Sequence, residues 1–178
     1  MYFKIKPRII FLTIGIVAFL VAYSAGAAVH VSKQQADNLR QHFGEQIKGI
    51  DQNGIFVNNA RIALGMFLPV AGIGIGGFVG FNTGMIFTAI ADHSALSNVP
   101  PLIILITPFG IMEVFAYGIA ISISGLLIYQ LVKKKPWREF TIPTLVEIGI
   151  VMVILFVAAM IEWQIITQFS SSHSIPNI

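Results

Sequence analysis

Long apolar blocks alternate with short polar stretches along this chain, and the blocks have the length of membrane helices. Residues 9–29 form the first, an uninterrupted run of about 21 residues behind Pro7. That suffices to cross a bilayer, and the proline suits a first helical turn. Its basic start, apolar middle and Ala25-Gly26-Ala27 also fit a cleavable signal; retention as an anchor is the expectation. Residues 31–53 are polar, with Leu39, Phe43, Ile47 and Ile50 recurring at helical spacing among Lys33, Asp37, Arg40, Glu45 and Lys48. This pattern predicts an amphipathic helix outside the first span, lying in the interface or capping the bundle, or docking a partner. Asn53-Gly54 then predicts a turn.

The second block, residues 55–91, is too long for one simple span. Its glycines admit two readings. Gly72, Gly74 and Gly77 satisfy G-x-G-x-x-G, but no strand precedes them and no soluble βαβ unit can follow in lipid. Gly72, Gly76, Gly80 and Gly84 recur every four residues, which gives a helix one smooth stripe for close packing. Ala18, Ala22 and Gly26 form a weaker stripe in the first span. After Pro100-Pro101 a third block, residues 102–132, is interrupted at Thr107-Pro108, with Gly110 close behind. A threonine N-cap with proline at the first position starts or kinks a helix there. The last block, residues 145–168, follows Thr144-Leu145-Val146-Glu147, a capping-box pattern. Residues 169–178 are a polar tail.

Composition fixes the class. The chain is 56% hydrophobic and 11% charged, with a mean hydropathy of +0.81, whereas soluble domains carry about 25% charged residues. The expected fold is all-α: a polytopic integral membrane bundle of about five transmembrane helices, one broken near Thr107-Pro108, plus the external amphipathic helix. All 178 residues are expected to form one membrane domain, with residues 55–168 supplying the bundle beyond the first span. No room remains for a soluble catalytic domain. The absence of cysteine excludes disulfides, thiolate metal sites and a cysteine nucleophile.

The net charge of +3 comes mainly from Lys4, Lys6 and Arg8 and from Lys133, Lys134, Lys135 and Arg138. It reports orientation rather than nucleic-acid binding, for which there is no signature. With both clusters cytoplasmic, an even number of spans lies between them, so residues 85–99 are expected to form a further short span. The N-terminus is then inside and the C-terminus outside the cell membrane. A re-entrant pair of half-helices is the variant.

Two carboxylates fall within apolar blocks. Glu113 lies about 11 residues, roughly 16 Å, from one end of its block, and Glu162 about six residues, roughly 9 Å, from the end of its own. A carboxylate in hydrocarbon costs at least about 2.5–3.5 kcal/mol, so such a residue has a partner or a task. Arg61 is the expected counter-charge for Glu162, with Asn58, Asn59 and Asn82 supplying hydrogen bonds. The residues fit a buried polar network that fixes helix register, or else a proton or cation pathway beside a broken helix. His30, His42, His93 and His173 lack any ligand spacing, so no metal or cofactor is expected. No nucleophile, base and orienting group recur at a recognisable spacing, and catalysis is not expected.

Three segments resemble the stage II sporulation protein M family. Pro108-Phe109-Gly110-Ile111-Met112-Glu113 is similar to its Pro-His-Gly-x-x-Glu element, with Phe109 in place of histidine. Asn82-Thr83-Gly84 sits where the family tends to have Asn-Gly, and Ala159-Met160-Ile161-Glu162 with Thr167 resembles the last-span pattern. The likeness covers about residues 58–167. It implies a membrane scaffold, which in sporulating bacteria gathers peptidoglycan hydrolases during engulfment. The expected function is therefore a non-catalytic scaffold or accessory subunit in contact with the lipid bilayer and other membrane-protein subunits. The alternative is a small proton- or cation-coupled transporter using Glu113 and Glu162.

The orientation is directly testable, because a cysteine-free chain permits single-cysteine labelling. A cysteine placed after Val132 is expected to be accessible from the cytoplasm, and one in residues 170–178 from outside. A cytoplasmic tail overturns the topology.

Overall fold

A computed structural model describes residues 5–47, 49–92 and 100–172. They form α1 (Ile5–Ala27), α2 (Lys33–Ile47), α3 (Gln52–Met66), α4 (Ala71–Asp92), α5 (Pro108–Val132) and α6 (Arg138–Ser172), with a 3-10 helix at Pro101–Ile106. Within the described residues α1, α4, α5 and α6 are long and apolar enough to cross a membrane. At 15 residues α3 measures about 22 Å, short of a hydrocarbon core of about 30 Å. It is an abbreviated fifth member of the bundle.

Contacts fix the helix directions. Phe11 of α1 packs beside Gly125 of α5, and Phe19 packs on Tyr117 with ring centroids 5.4 Å apart, so α1 and α5 are antiparallel. Gly80 of α4 faces Phe19 and Ala22, and Gly84 faces Tyr23 and Ala27, so α4 runs parallel to α1. Asn59 meets Glu113 and Leu68 meets Ser124, so α3 descends alongside α5. The start of α1 and the link between α5 and α6 therefore share one end of the bundle. Helix α5 is the centre, with Ala116, Ala120, Ile123 and Ser124 fully buried.

At that end Arg8 joins three helices. Its Nε donates to Glu147 Oε1 of α6 at 2.9 Å, its Nη1 donates to Ser122 Oγ of α5 at 2.6 Å, and its Nη2 pairs with Glu147 Oε2. The two charged side chains are each 17% exposed, and the planar guanidinium satisfies both carboxylate oxygens.

The glycine stripe lies inside. A Cβ on Gly72 would strike the Met66 carbonyl, on Gly76 the Ile121 side chain, on Gly80 the Phe19 carbonyl at 3.1 Å, and on Gly84 the Tyr23 carbonyl. Around Gly74 and Gly77 the space is open. On α1 the inward face is Gly15, Phe19, Tyr23 and Gly26, while Ala18 is exposed. The expected Ala18-Ala22-Gly26 stripe is thus only partly the packing face.

Element boundaries differ from expectation where side chains cap or break helices. Asp51 caps α3 by accepting from the Gly54 amide at 2.8 Å, so Asn53-Gly54 lies in a first helical turn. The actual turn is at Gly49, whose φ of 73° suits glycine. The 55–91 block divides at Pro69, which cannot donate to the preceding turn, and not near residue 85. Helix α4 runs unbroken to Asp92; residues 93–99 of the expected short span lie outside the described residues. Helix α6 starts at Arg138 and passes through Pro143, so Thr144 is no N-cap. Its hydroxyl is buried without a hydrogen-bond partner among the described residues, and Glu147 is held by Arg8 instead. Thr107 does cap α5, accepting from the Gly110 amide at 3.1 Å while donating to the Ile104 carbonyl at 2.6 Å.

The packing predicts a ranking. Gly84→Ala sets a methyl against rigid backbone and should lower the thermal midpoint in detergent by an amount equal to about 1–3 kcal/mol. Gly76→Ala meets only a side chain and should cost less. Gly74→Ala should be neutral or stabilise by up to about 1 kcal/mol. Equal losses at all three positions would show that the stripe does not carry the packing.

Candidate functional site

The half of the bundle away from Arg8 encloses a cavity of about 490 Å³. Helical periodicity explains its walls. Phe109, Glu113 and Tyr117 stand four residues apart on α5 and share a face; Ile55, Asn59 and Ile62, four and then three residues apart, share a face of α3. Helix α6 contributes Glu162, Trp163 and Ile166, α1 contributes Phe19 and Tyr23, and α4 contributes Val79, Thr83 and Phe87. Ile104 and Leu105 of the 3-10 helix close one side. Because residues 101–106 are not α-helical, Glu113 sits in the second turn of α5 rather than deep within a continuous span.

Polar contacts in the cavity are few. Asn59 Nδ2 donates to Glu113 Oε1 at 2.5 Å, and Asn58 Nδ2 donates to Asn59 Oδ1 at 3.4 Å. Tyr23 Oη donates to the Pro101 carbonyl at 2.8 Å, tying α1 to the 3-10 helix. The helix break sets the position of Glu113: Gly110 backs onto the Ile104 carbonyl, an approach that a Cβ would prevent.

The structure brings Glu113, Glu162 and Asn59 to one space and leaves the other two candidates outside it. Arg61 is exposed and forms no ion pair with Glu162. The reason is angular: two residues beyond Asn59, it points about 200° away around α3. Asn82 donates to the Phe78 carbonyl of its own helix at 2.9 Å, while its neighbour Thr83 faces the cavity. Thr107, Pro108 and Gly110 form the start of α5, and Gly72, Gly76, Gly80 and Gly84 pack the helices. His30 and His42 are exposed; His93 and His173 lie outside the described residues.

Sequence reasoning missed Tyr23, Thr83 and Phe87 as cavity residues. Their four-residue spacing on apolar helices carries no sign of an internal space. It also missed the Arg8–Glu147 pair, which joins residues far apart in the chain.

These features define a polytopic helical membrane protein with an acidic, aromatic-lined cavity at the meeting of its helices. Residues 9–165 match the family model for stage II sporulation protein M, and the chain belongs to that family. The match runs from α1 almost to the end of α6, wider than the three motif segments. No curated protein and no solved structure matches the chain.

The Asn59–Glu113 bond yields a stability test. Glu113→Gln keeps an acceptor for Asn59 and should leave the thermal midpoint in detergent nearly unchanged. Glu113→Leu strands the amide and should cost about 1–3 kcal/mol. Adding Asn59→Leu to Glu113→Leu should recover most of that loss, whereas additive losses would mean the bond is not the cause.

Proposed function

We propose that the protein is a non-catalytic integral-membrane scaffold or accessory subunit that docks other membrane proteins along α4. The observation that carries this reading is the outward face of α4. Among the described residues nothing lies within 4 Å of a Cβ placed on Gly74 or Gly77, so internal packing gives no reason for them. Each glycine in a helix costs about 1 kcal/mol relative to alanine. Phe78, 70% exposed, and Phe81 stand on the same face. A flat glycine surface beside projecting aromatic rings is the arrangement that lets a second transmembrane helix approach closely. Membership of the stage II sporulation protein M family agrees with such a role, and the role requires no cofactor.

A second reading, proton- or cation-coupled transport, is favoured by Glu113 and Glu162 facing one cavity beside the break at Thr107. It ranks below the first because the bond from Asn59 gives Glu113 a structural use.

The test is purification from native membranes, with mass spectrometry of what co-migrates. Gly74→Leu and Gly77→Leu should keep the thermal midpoint of the wild type and lose the co-migrating subunits. A wild-type protein that purifies alone, or assemblies that survive both substitutions, would sink the docking reading. Proton or cation flux in liposomes, abolished by Glu113→Gln, would put transport in its place.

A further inference from the structure

The cavity contains two carboxyl groups, and none of the described residues lining it is basic. Asn59 occupies one oxygen of Glu113. Glu162 has no ion-pair or side-chain hydrogen-bond partner among the described residues. The polar network therefore uses only part of the acidic capacity of the site.

The rest of the wall is aromatic and aliphatic. Phe19, Tyr23, Phe87, Phe109, Tyr117 and Trp163 all border the same space. Aromatic faces attract a cation through the ring quadrupole, most strongly where water is excluded, and a carboxylate supplies the opposite charge. Size then selects the kind of cation. A bare metal ion needs several oxygen ligands close around it, whereas this space of about 490 Å³ falls within the range of about 300–1,000 Å³ found for small organic ligands. Its apolar walls suit a ligand with an apolar body.

We propose that the cavity binds an organic cation, an ammonium- or phosphonium-type centre carrying apolar substituents, with the charge placed against Glu113 and Glu162 and the body against the aromatic walls. The cation supplies the positive charge that Arg61, turned outward on α3, does not. Binding at this site needs neither partner assembly on α4 nor transport, so it stands or falls separately from both.

The probe is methyltriphenylphosphonium, titrated calorimetrically into the purified full-length protein in a non-ionic detergent. Triphenylphosphine oxide, similar in shape and uncharged, is the control. Saturable one-site binding of the cation is expected, at least tenfold tighter than binding of the oxide. It should weaken at least tenfold in Glu113→Gln and in Glu162→Gln, and be lost in Val79→Trp, which fills the space and leaves both carboxyl groups in place. No saturable binding, equal binding of cation and oxide, or full binding in the double glutamine variant or in Val79→Trp would overturn the proposal. If the glutamine variants do not fold, the cation-to-oxide ratio in the wild type decides it, a ratio below tenfold counting against.

Discussion

Close approach of backbones is the constraint on which the rest of this structure depends. In lipid there is no hydrophobic drive to bring apolar helices together, so association relies on van der Waals contact and on the few polar contacts between helices. Here α4 settles on α1 with Gly84 against Tyr23 and Gly26 against Phe81, and α1 settles on α5 with Gly15 against Gly118 and Ser122. Each contact places a helix surface on neighbouring backbone, where even a methyl group does not fit. Once α1 is locked between α4 and α5, the remaining helices have little choice of position. Helix α6 is fixed at one end by Arg8, and α3 occupies the groove left between α4, α5 and α6.

The cavity lies beside that close packing, which at the end away from Arg8 joins α4 to α1 through Gly84 and Gly26. Toward the Arg8 end, small residues and a bidentate ion pair fill the space between helices. Toward the other end, the short helix α3 and the 3-10 segment at Pro101–Ile106 replace full-length spans, and larger side chains stand off from one another. Thr107 and Gly110 turn the chain from the 3-10 segment into α5 while keeping both backbones satisfied. A break of this kind is tolerated at membrane depth when the irregular backbone is covered by protein or lines a cavity. The second condition holds here, since Ile104 and Leu105 border the space that Glu113 faces.

Much of this was legible in the sequence, for identifiable reasons. Apolar run length marked the first span, and the threonine-proline pair marked the start of α5, because each depends on local chemistry alone. The four-residue glycine spacing falls on positions of α4 where a Cβ would meet neighbouring atoms, whereas Gly74 and Gly77 of the rejected G-x-G-x-x-G have open space among the described residues. What failed depended on tertiary contact. Thr144 and Glu147 fit a capping box in sequence, but α6 begins earlier and Arg8, in a distant helix, takes the carboxylate. Arg61 matched Glu162 in depth, yet depth ignores rotation about the helix axis, which turns its side chain outward. The membership of Tyr23 and Phe87 in a cavity wall was invisible for the same reason: periodicity gives a face, not what stands opposite it.

Helix α4 serves three separate surfaces, and its sequence shows how one helix can do so. Gly76, Gly80 and Gly84 meet α5 and α1, Val79 and Thr83 border the cavity, and Gly74, Gly77 and Phe78 look outward. At about 100° per residue Thr83 stands within about 20° of Gly76, and Gly84 within about 20° of Gly77, so the sets are separated along the helix as well as around it. They do share one rigid body. Because Gly80 and Gly84 rest on the backbone of α1, α4 has little freedom to rotate. The outward face and the cavity wall are therefore held in fixed relation by the same glycine contacts that hold the fold.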